Sequence, residues 1–93
     1  MALITSPVEL GGYGMLDCGA FITGFMVAAQ ASGLASIAQA ALASYAPLLR
    51  TTLKMRADRY ILCGISFGYS DSAHQDNSFR TTRAAVEAVM EWR

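Results

Sequence analysis

The sequence predicts an α+β fold, with helices packed around a sheet that these residues leave incomplete, and three observations predict it. Residues 15–31 form a nearly all-apolar stretch whose only polar residues are Asp17, Thr23 and Gln30. Residues 60–67 (YILCGISF) form a continuous apolar run of strand length, the pattern of a strand covered on both faces. Of the 93 residues, 54% are hydrophobic and only 15% are charged. A chain this short has much surface to cover, so surplus apolar side chains call for a membrane, a partner chain or more of the same domain.

Taken in order, residues 2–5 read as a short strand, and Ser6-Pro7 and Gly11-Gly12-Tyr13-Gly14 as the punctuation of a loop. A long helix is predicted over residues 15–32, buried on most of its circumference, with Gly33 as a left-handed C-terminal cap. Ala20, Gly24 and Ala28 recur every four residues along it and form a small-residue stripe open to close helix packing, within one chain or across a dimer axis. Residues 34–39 read as an extended connection. Ser44 reads as the N-cap of a second helix that continues through residue 55 with Pro47 in its first turn. On that helix Leu48, Leu49, Thr52 and Leu53 mark an inner side, and Arg50 and Lys54 a wet one. The strand at 60–67 ends at Gly68, and residues 70–78 form a polar loop holding His74, the sole histidine. Val86, Val89 and Met90 have helical spacing, so a short helix is predicted over 84–92. The resulting order is strand, helix, helix, strand, helix. A doubly covered strand needs neighbours for its backbone hydrogen bonds, and the chain offers one or two.

Composition excludes some functions. Seven basic and seven acidic residues give a formal net charge of zero, so nucleic-acid binding has no electrostatic support. Cys18 and Cys63 lie far apart within apolar runs and read as buried free thiols in a reducing cytoplasm. The first seven residues lack the marks of a signal peptide. The apolar stretch carries Asp17 and has no flanking Lys or Arg, which argues against a membrane span. His74, Asp71 and Asp76 show no catalytic or metal-ligand spacing, and His74 reads as a solvated loop histidine. Arg80-Thr81-Thr82-Arg83 places two guanidinium groups three residues apart, an arrangement able to chelate a phosphate. Gln39-Ala40-Ala41 has small side chains that let a flat ligand approach the backbone.

Four segments, in order, carry a resemblance: Ala28-Ala29-Gln30-Ala31-Ser32-Gly33-Leu34, then Ala35-Ser36-Ile37-Ala38-Gln39-Ala40-Ala41-Leu42, then Gly64-Ile65-Ser66-Phe67-Gly68-Tyr69, then Asn77-Ser78-Phe79-Arg80-Thr81-Thr82-Arg83. Together they resemble the C-terminal half of the FMN-dependent nitroreductase family. The resemblance implies that residues 1–93 are the C-terminal portion of one nitroreductase-like α/β sandwich. It implies a cytoplasmic, intertwined homodimer built on the long apolar helix, with FMN at the subunit interface. NAD(P)H would reduce the flavin, which would reduce a small-molecule acceptor such as a nitroaromatic or quinone. It also implies that the backbone of Gln39, Ala40 and Ala41 lies beside the flavin ring and that Arg83, with Arg80 second, meets the FMN phosphate. Ala84-Ala85 stand where family members often carry a proline after the tail arginine, and Ala38 or Ala41 where the flavin-side turn often has proline or glycine. The arginine-rich, serine-containing flavin-phosphate motif of the family's N-terminal helix has no counterpart in these residues. The resemblance therefore predicts a half-domain that is inactive alone and sealed by a second copy or a complementary N-terminal chain. A second reading is a non-catalytic, homo-oligomerising module that kept the helix and lost the flavin.

Overall fold

The computed structural model describes all 93 residues as an α+β unit with a single three-stranded antiparallel sheet. Strand β1 (Ala2–Pro7) leads through a 3-10 turn at Val8–Leu10 into helix α1 (Gly11–Ala31). Strand β2 (Ala35–Gln39), a 3-10 segment (Ala40–Tyr45), helix α2 (Ala46–Thr52) and strand β3 (Arg59–Gly68) follow. Beyond β3 the chain is irregular apart from 3-10 turns at Gln75–Asn77 and Val86–Ala88. The strand order is β1-β3-β2, so the apolar run is the central strand, as its composition predicts. A register shift between Ile4 and Thr5 leaves Leu62 without a partner across from β1.

The element order differs from the predicted one. Residues 34–39 are not a mere connection: Ala35–Gln39 pairs with Gly64–Gly68 as a strand. Thus β3 finds both neighbours within the chain, and the unfilled hydrogen-bonding edges belong to β1 and β2. The sheet is open at both sides.

Helix α1 begins at Gly11, four residues before the predicted start, and takes in the glycines that read as a loop. Gly14 shows why they are there. A β-carbon on it would collide with the Ser6 hydroxyl and stand 2.7 Å from Leu10 Cβ, so the missing side chain lets the helix seat on β1. At the other end Gly33 adopts φ +76°, and the Gly33 and Leu34 amides donate to the Gln30 and Ala29 carbonyls at 3.0 and 2.9 Å. This is the predicted left-handed cap, in its Schellman form.

Burial of α1 is confined to one stripe, contrary to the prediction of burial around most of the helix. Gly14 and Ala29 are buried, and Cys18, Ile22 and Phe25 are half-buried against the core residues Ile4, Cys63 and Ile65. Phe25 meets Phe67 edge-on at 5.6 Å between ring centroids. The remaining faces are open: Tyr13, Leu16, Phe21 and Val27 are exposed, as is the Ala20–Gly24–Ala28 stripe. By length and composition Val8–Ala31 could cross a membrane, and only 6% of its apolar window is buried. The reason is geometric. A single sheet face can cover only one side of a helix.

Helix α2 is shorter than predicted and differently capped. The 3-10 segment draws Ser44 into a helical turn, so Tyr45 becomes the N-cap without any side-chain cap bond, while Pro47 lies in the first turn as expected. Its predicted inner side is mostly open, with Leu49 alone half-buried, and of the predicted wet side Lys54 is exposed while Arg50 is not. Leu48, Thr52 and Leu53 are exposed, whereas Arg50 is half-buried, donating from Nη2 to the Arg59 carbonyl at 2.6 Å. Arg59 in turn clamps β1, donating from Nε to Thr5 Oγ1 at 2.7 Å and from Nη2 to the Thr5 carbonyl at 3.1 Å. No helix forms over 84–92. Val86, Val89 and Met90 are exposed, and a short amphipathic segment without a buried face does not hold an α-helix.

Both thiols are free, Cys63 buried and Cys18 half-buried. Burial pushes the Cys63 thiol above its ordinary range, and the neighbouring Cys18 adds to the shift. A thiol raised in the folded state keeps its full stabilising contribution below the unfolded-state value and loses it as pH rises through the folded one. At pH 8 a disulfide reagent such as Ellman's is therefore expected to modify Cys18 first, with Cys63 reacting only on unfolding. Equal rates for the two would contradict this.

Candidate functional site

The two segments proposed to meet a cofactor lie in different parts of the chain, one closing β2 and the other in the tail beyond β3. Gln39 is the last residue of β2, and Ala40 and Ala41 open the 3-10 segment; all three are exposed. Two contacts hold this turn in place. The Gln39 Oε1 accepts from the Ser66 hydroxyl at 3.1 Å, and Leu42 folds over Gly64, filling the space that a β-carbon would need. Gly64 is Gln39's partner in the β2–β3 register. A glycine at that point lets the turn lie flat on the strand, and the two alanines leave its backbone uncovered.

Arg80 and Arg83 are exposed in the irregular tail. Arg80 donates from Nη1 to the Asn77 and Phe79 carbonyls at 3.0 and 2.8 Å. Arg83 donates from Nη1 to Thr81 Oγ1 at 2.7 Å and to the Thr82 carbonyl at 3.3 Å. Neither forms an ion pair; the three ion pairs in the chain involve Arg56, His74 and Arg93. Two guanidinium charges therefore stand uncompensated.

A cleft of about 830 Å³ opens between the start of β2, the end of β3 and the tail. Arg80 lines it, together with Ile37, Ser66, Phe67, Tyr69 and Phe79. Arg83 and the turn of Gln39, Ala40 and Ala41 do not. Ser66 is the link, since its hydroxyl lines the cleft and reaches Gln39. The candidate residues are thus not gathered in one pocket of a single chain.

His74 lies exposed in its loop, where Nδ1 accepts from the Asp76 amide at 3.3 Å, and no three His, Cys, Asp or Glu side chains converge as metal ligands would. The reading of His74 as a solvated loop residue stands. Sequence reasoning placed Gly64 and Ser66 in a motif but gave neither a contact with the Gln39 turn, and it did not find the cleft. The small residues at 64 and 66 within an otherwise bulky strand were the available signal.

The architecture defines a class: an α+β scaffold in which an apolar helix backs a short antiparallel sheet, followed by an irregular tail that carries Arg80 and Arg83. The chain belongs to the nitroreductase family, whose model matches residues 5–69. It is 38% identical over 73 residues to the 4-nitrobenzoate reductase of Nocardioides sp. (strain LMS-CY), which covers 78% of this chain and 30% of that protein. It is 32% identical over 85 residues to the 4-nitrobenzoate reductase of Pseudomonas putida, covering 91% of this chain and 37% of that protein. Among solved structures it superposes on the FMN-dependent nitroreductase NfnB from Mycobacterium smegmatis in complex with NADPH. There the TM-score is 0.87 at 32% identity, over 98% of this chain and 40% of that one. The chain therefore spans between 30% and 40% of the length of these relatives.

Proposed function

We propose that these residues form the C-terminal portion of a flavin-dependent oxidoreductase of the nitroreductase type, reducing nitroaromatic or quinone-like acceptors with NAD(P)H through FMN. The observation that carries the reading is the agreement of family and fold: the family match covers every strand that frames the turn at Gln39, Ala40 and Ala41, and the whole chain superposes on an FMN-dependent relative. When bound, the flavin supplies the redox chemistry, and the protein's part is to bind, orient and shield it.

The residues present fit that cofactor. The exposed backbone of Gln39, Ala40 and Ala41 carries no side chain bulky enough to hold a flat ring away, and the Ser66–Gln39 hydrogen bond keeps the turn at one height above the sheet. Its N–H groups are suited to donate toward a ring nitrogen and favour the reduced state. Arg83, with Arg80 as a second cation, supplies the uncompensated charge for a phosphate. The reading places each flavin at the interface between two chains. The open faces of α1, with the Ala20–Gly24–Ala28 stripe, then form a homodimer core in the cytoplasm rather than a lipid contact. The rest of the flavin pocket comes from polypeptide outside these residues, so activity from the 93-residue chain alone is not expected.

The test is spectroscopic. The purified chain is titrated into FMN, with and without the N-terminal segment of a family member, and quenching of flavin fluorescence is followed. Binding is expected with the complementary segment, and Arg83→Ala is expected to weaken it about tenfold, the value of a charge-assisted phosphate contact. No quenching under either condition, with folded protein present, overturns the proposal.

A further inference from the structure

Cys18 and Cys63 have no task in the flavin reading, yet the fold brings them into one layer between helix and sheet. Cys63 faces Ile4 across the β1–β3 pair, and Cys18 packs from α1 against the cluster of Ile4, Cys63 and Ile65. The Cys18 thiol donates to the carbonyl of Thr5, the residue after Ile4, with Sγ 3.8 Å from the oxygen. That carbonyl also accepts from Arg59 Nη2 at 3.1 Å, so a guanidinium shares an acceptor with the thiol. Burial raises the Cys63 thiol and Cys18 adds to the rise, so the two sulfurs feel each other. Cys63 is buried and Cys18 half-buried, which shields the pair and leaves an entry on the Cys18 side.

We infer that Cys18 and Cys63 form a two-coordinate site for a soft monovalent cation of the copper(I) class. Thiolates select such ions. Two ligands are too few for a structural zinc ion, which takes four, but they complete the linear geometry that copper(I) and silver(I) accept. A direct disulfide needs the two Cα atoms within about 7 Å, and α1 keeps its backbone closer to β1 and β2 than to β3. An inserted ion lengthens the bridge, since two metal–sulfur bonds of about 2.3 Å hold the sulfurs roughly 4.6 Å apart. No oxidation state changes. Two thiols and one monovalent cation give one anionic sulfur–metal–sulfur unit and two protons, which pass to solvent. The Arg59 guanidinium at the Thr5 carbonyl offsets the single negative charge left behind.

Silver(I), as the air-stable probe, is titrated as its nitrate into the reduced 93-residue chain in chloride-free buffer at neutral pH. One tightly held ion per chain is expected, with two protons released and the far-ultraviolet dichroism retained. The thermal midpoint is expected to rise by several degrees, because the folded chain holds together two sulfurs that are far apart in the unfolded one. Cys18→Ser and Cys63→Ala are each expected to weaken binding about a hundredfold or more, beyond the cost of losing an outer contact alone. Cys18 is half-buried at the margin of the core, so Cys18→Ser keeps the parent's dichroism. Release of a single proton, or silver binding to Cys18→Ser as tight as to the parent, overturns the inference. So does dimerisation that tracks the added ion, a falling thermal midpoint, or zinc(II) binding of equal strength. Neither flavin nor reductant takes part, so the outcome leaves the proposed function untouched.

Discussion

Replacing Ile65 with alanine is expected to cost about 2–5 kcal/mol and to leave the chain largely unfolded at ambient temperature. Ile65 is 0% exposed and sits on the central strand, where it joins Ile4 and Cys63 beneath Cys18, Ile22 and Phe25 of α1. Only 8 of 93 residues are buried, so no second core can compensate when this one loses its only fully buried hydrophobic side chain. Domains of this size are stable by only several kcal/mol, and the loss is of that order. The neighbours cannot close the hole, because strand pairing on both edges of β3 holds the backbone in place. Urea titration followed by far-ultraviolet dichroism checks this. A midpoint within error of the parent's would show that the helix–sheet contact does not carry the fold.

The second large effect is expected at Gly14. Alanine is ordinarily the better helix former by about 1 kcal/mol, so an exposed helical glycine gains from the change. At Gly14 the sign reverses. The new methyl group would overlap the buried Ser6 hydroxyl and press on Leu10 Cβ at 2.7 Å, and Leu10 Cβ cannot swing away without moving its backbone. Overpacking of this kind costs about 1–3 kcal/mol and outweighs the propensity gain. Gly19 is the internal control, since nothing lies within 4 Å of the position its β-carbon would take. Gly19→Ala is therefore expected to stabilise the chain, or leave it unchanged, while Gly14→Ala lowers the thermal midpoint by several degrees. Parallel behaviour of the two variants would mean that α1 is not seated on β1 as described.

These two positions also show where sequence reading stops. Residues 11–14 looked like a loop because three glycines within four residues usually punctuate one. In the fold they are the first turn of α1, and at Gly14 the glycine serves close approach to β1, a demand set by a residue eight positions away. Residues 35–39 looked like a connection because Ala35-Ser36-Ile37-Ala38-Gln39 has weak strand propensity. They become a strand because the edge of β3 is there to pair with. Arg50 looked solvated because lysines and arginines usually are. It turned inward because the Arg59 carbonyl offered an acceptor at the end of its reach. The same holds for the site. The residues at 39–41 and 80–83 are those the resemblance points to, but the contacts that hold the turn and the cleft beside Arg80 could not be read from the sequence.

What the chain by itself determined is local and compositional. A continuous apolar run became the central strand, Gly33 closed the long helix, Pro47 sat in a first turn, and an apolar surplus left most of α1 uncovered. Such features depend on nearest neighbours and on how much surface a short chain can bury, and both can be read along a line of residues. Only the tertiary structure decided which glycine must stay bare, which weak segment pairs, and which arginine faces a cleft. Each of those is set by an atom brought close from elsewhere in the chain, and contact at that range has no periodicity for the sequence to display.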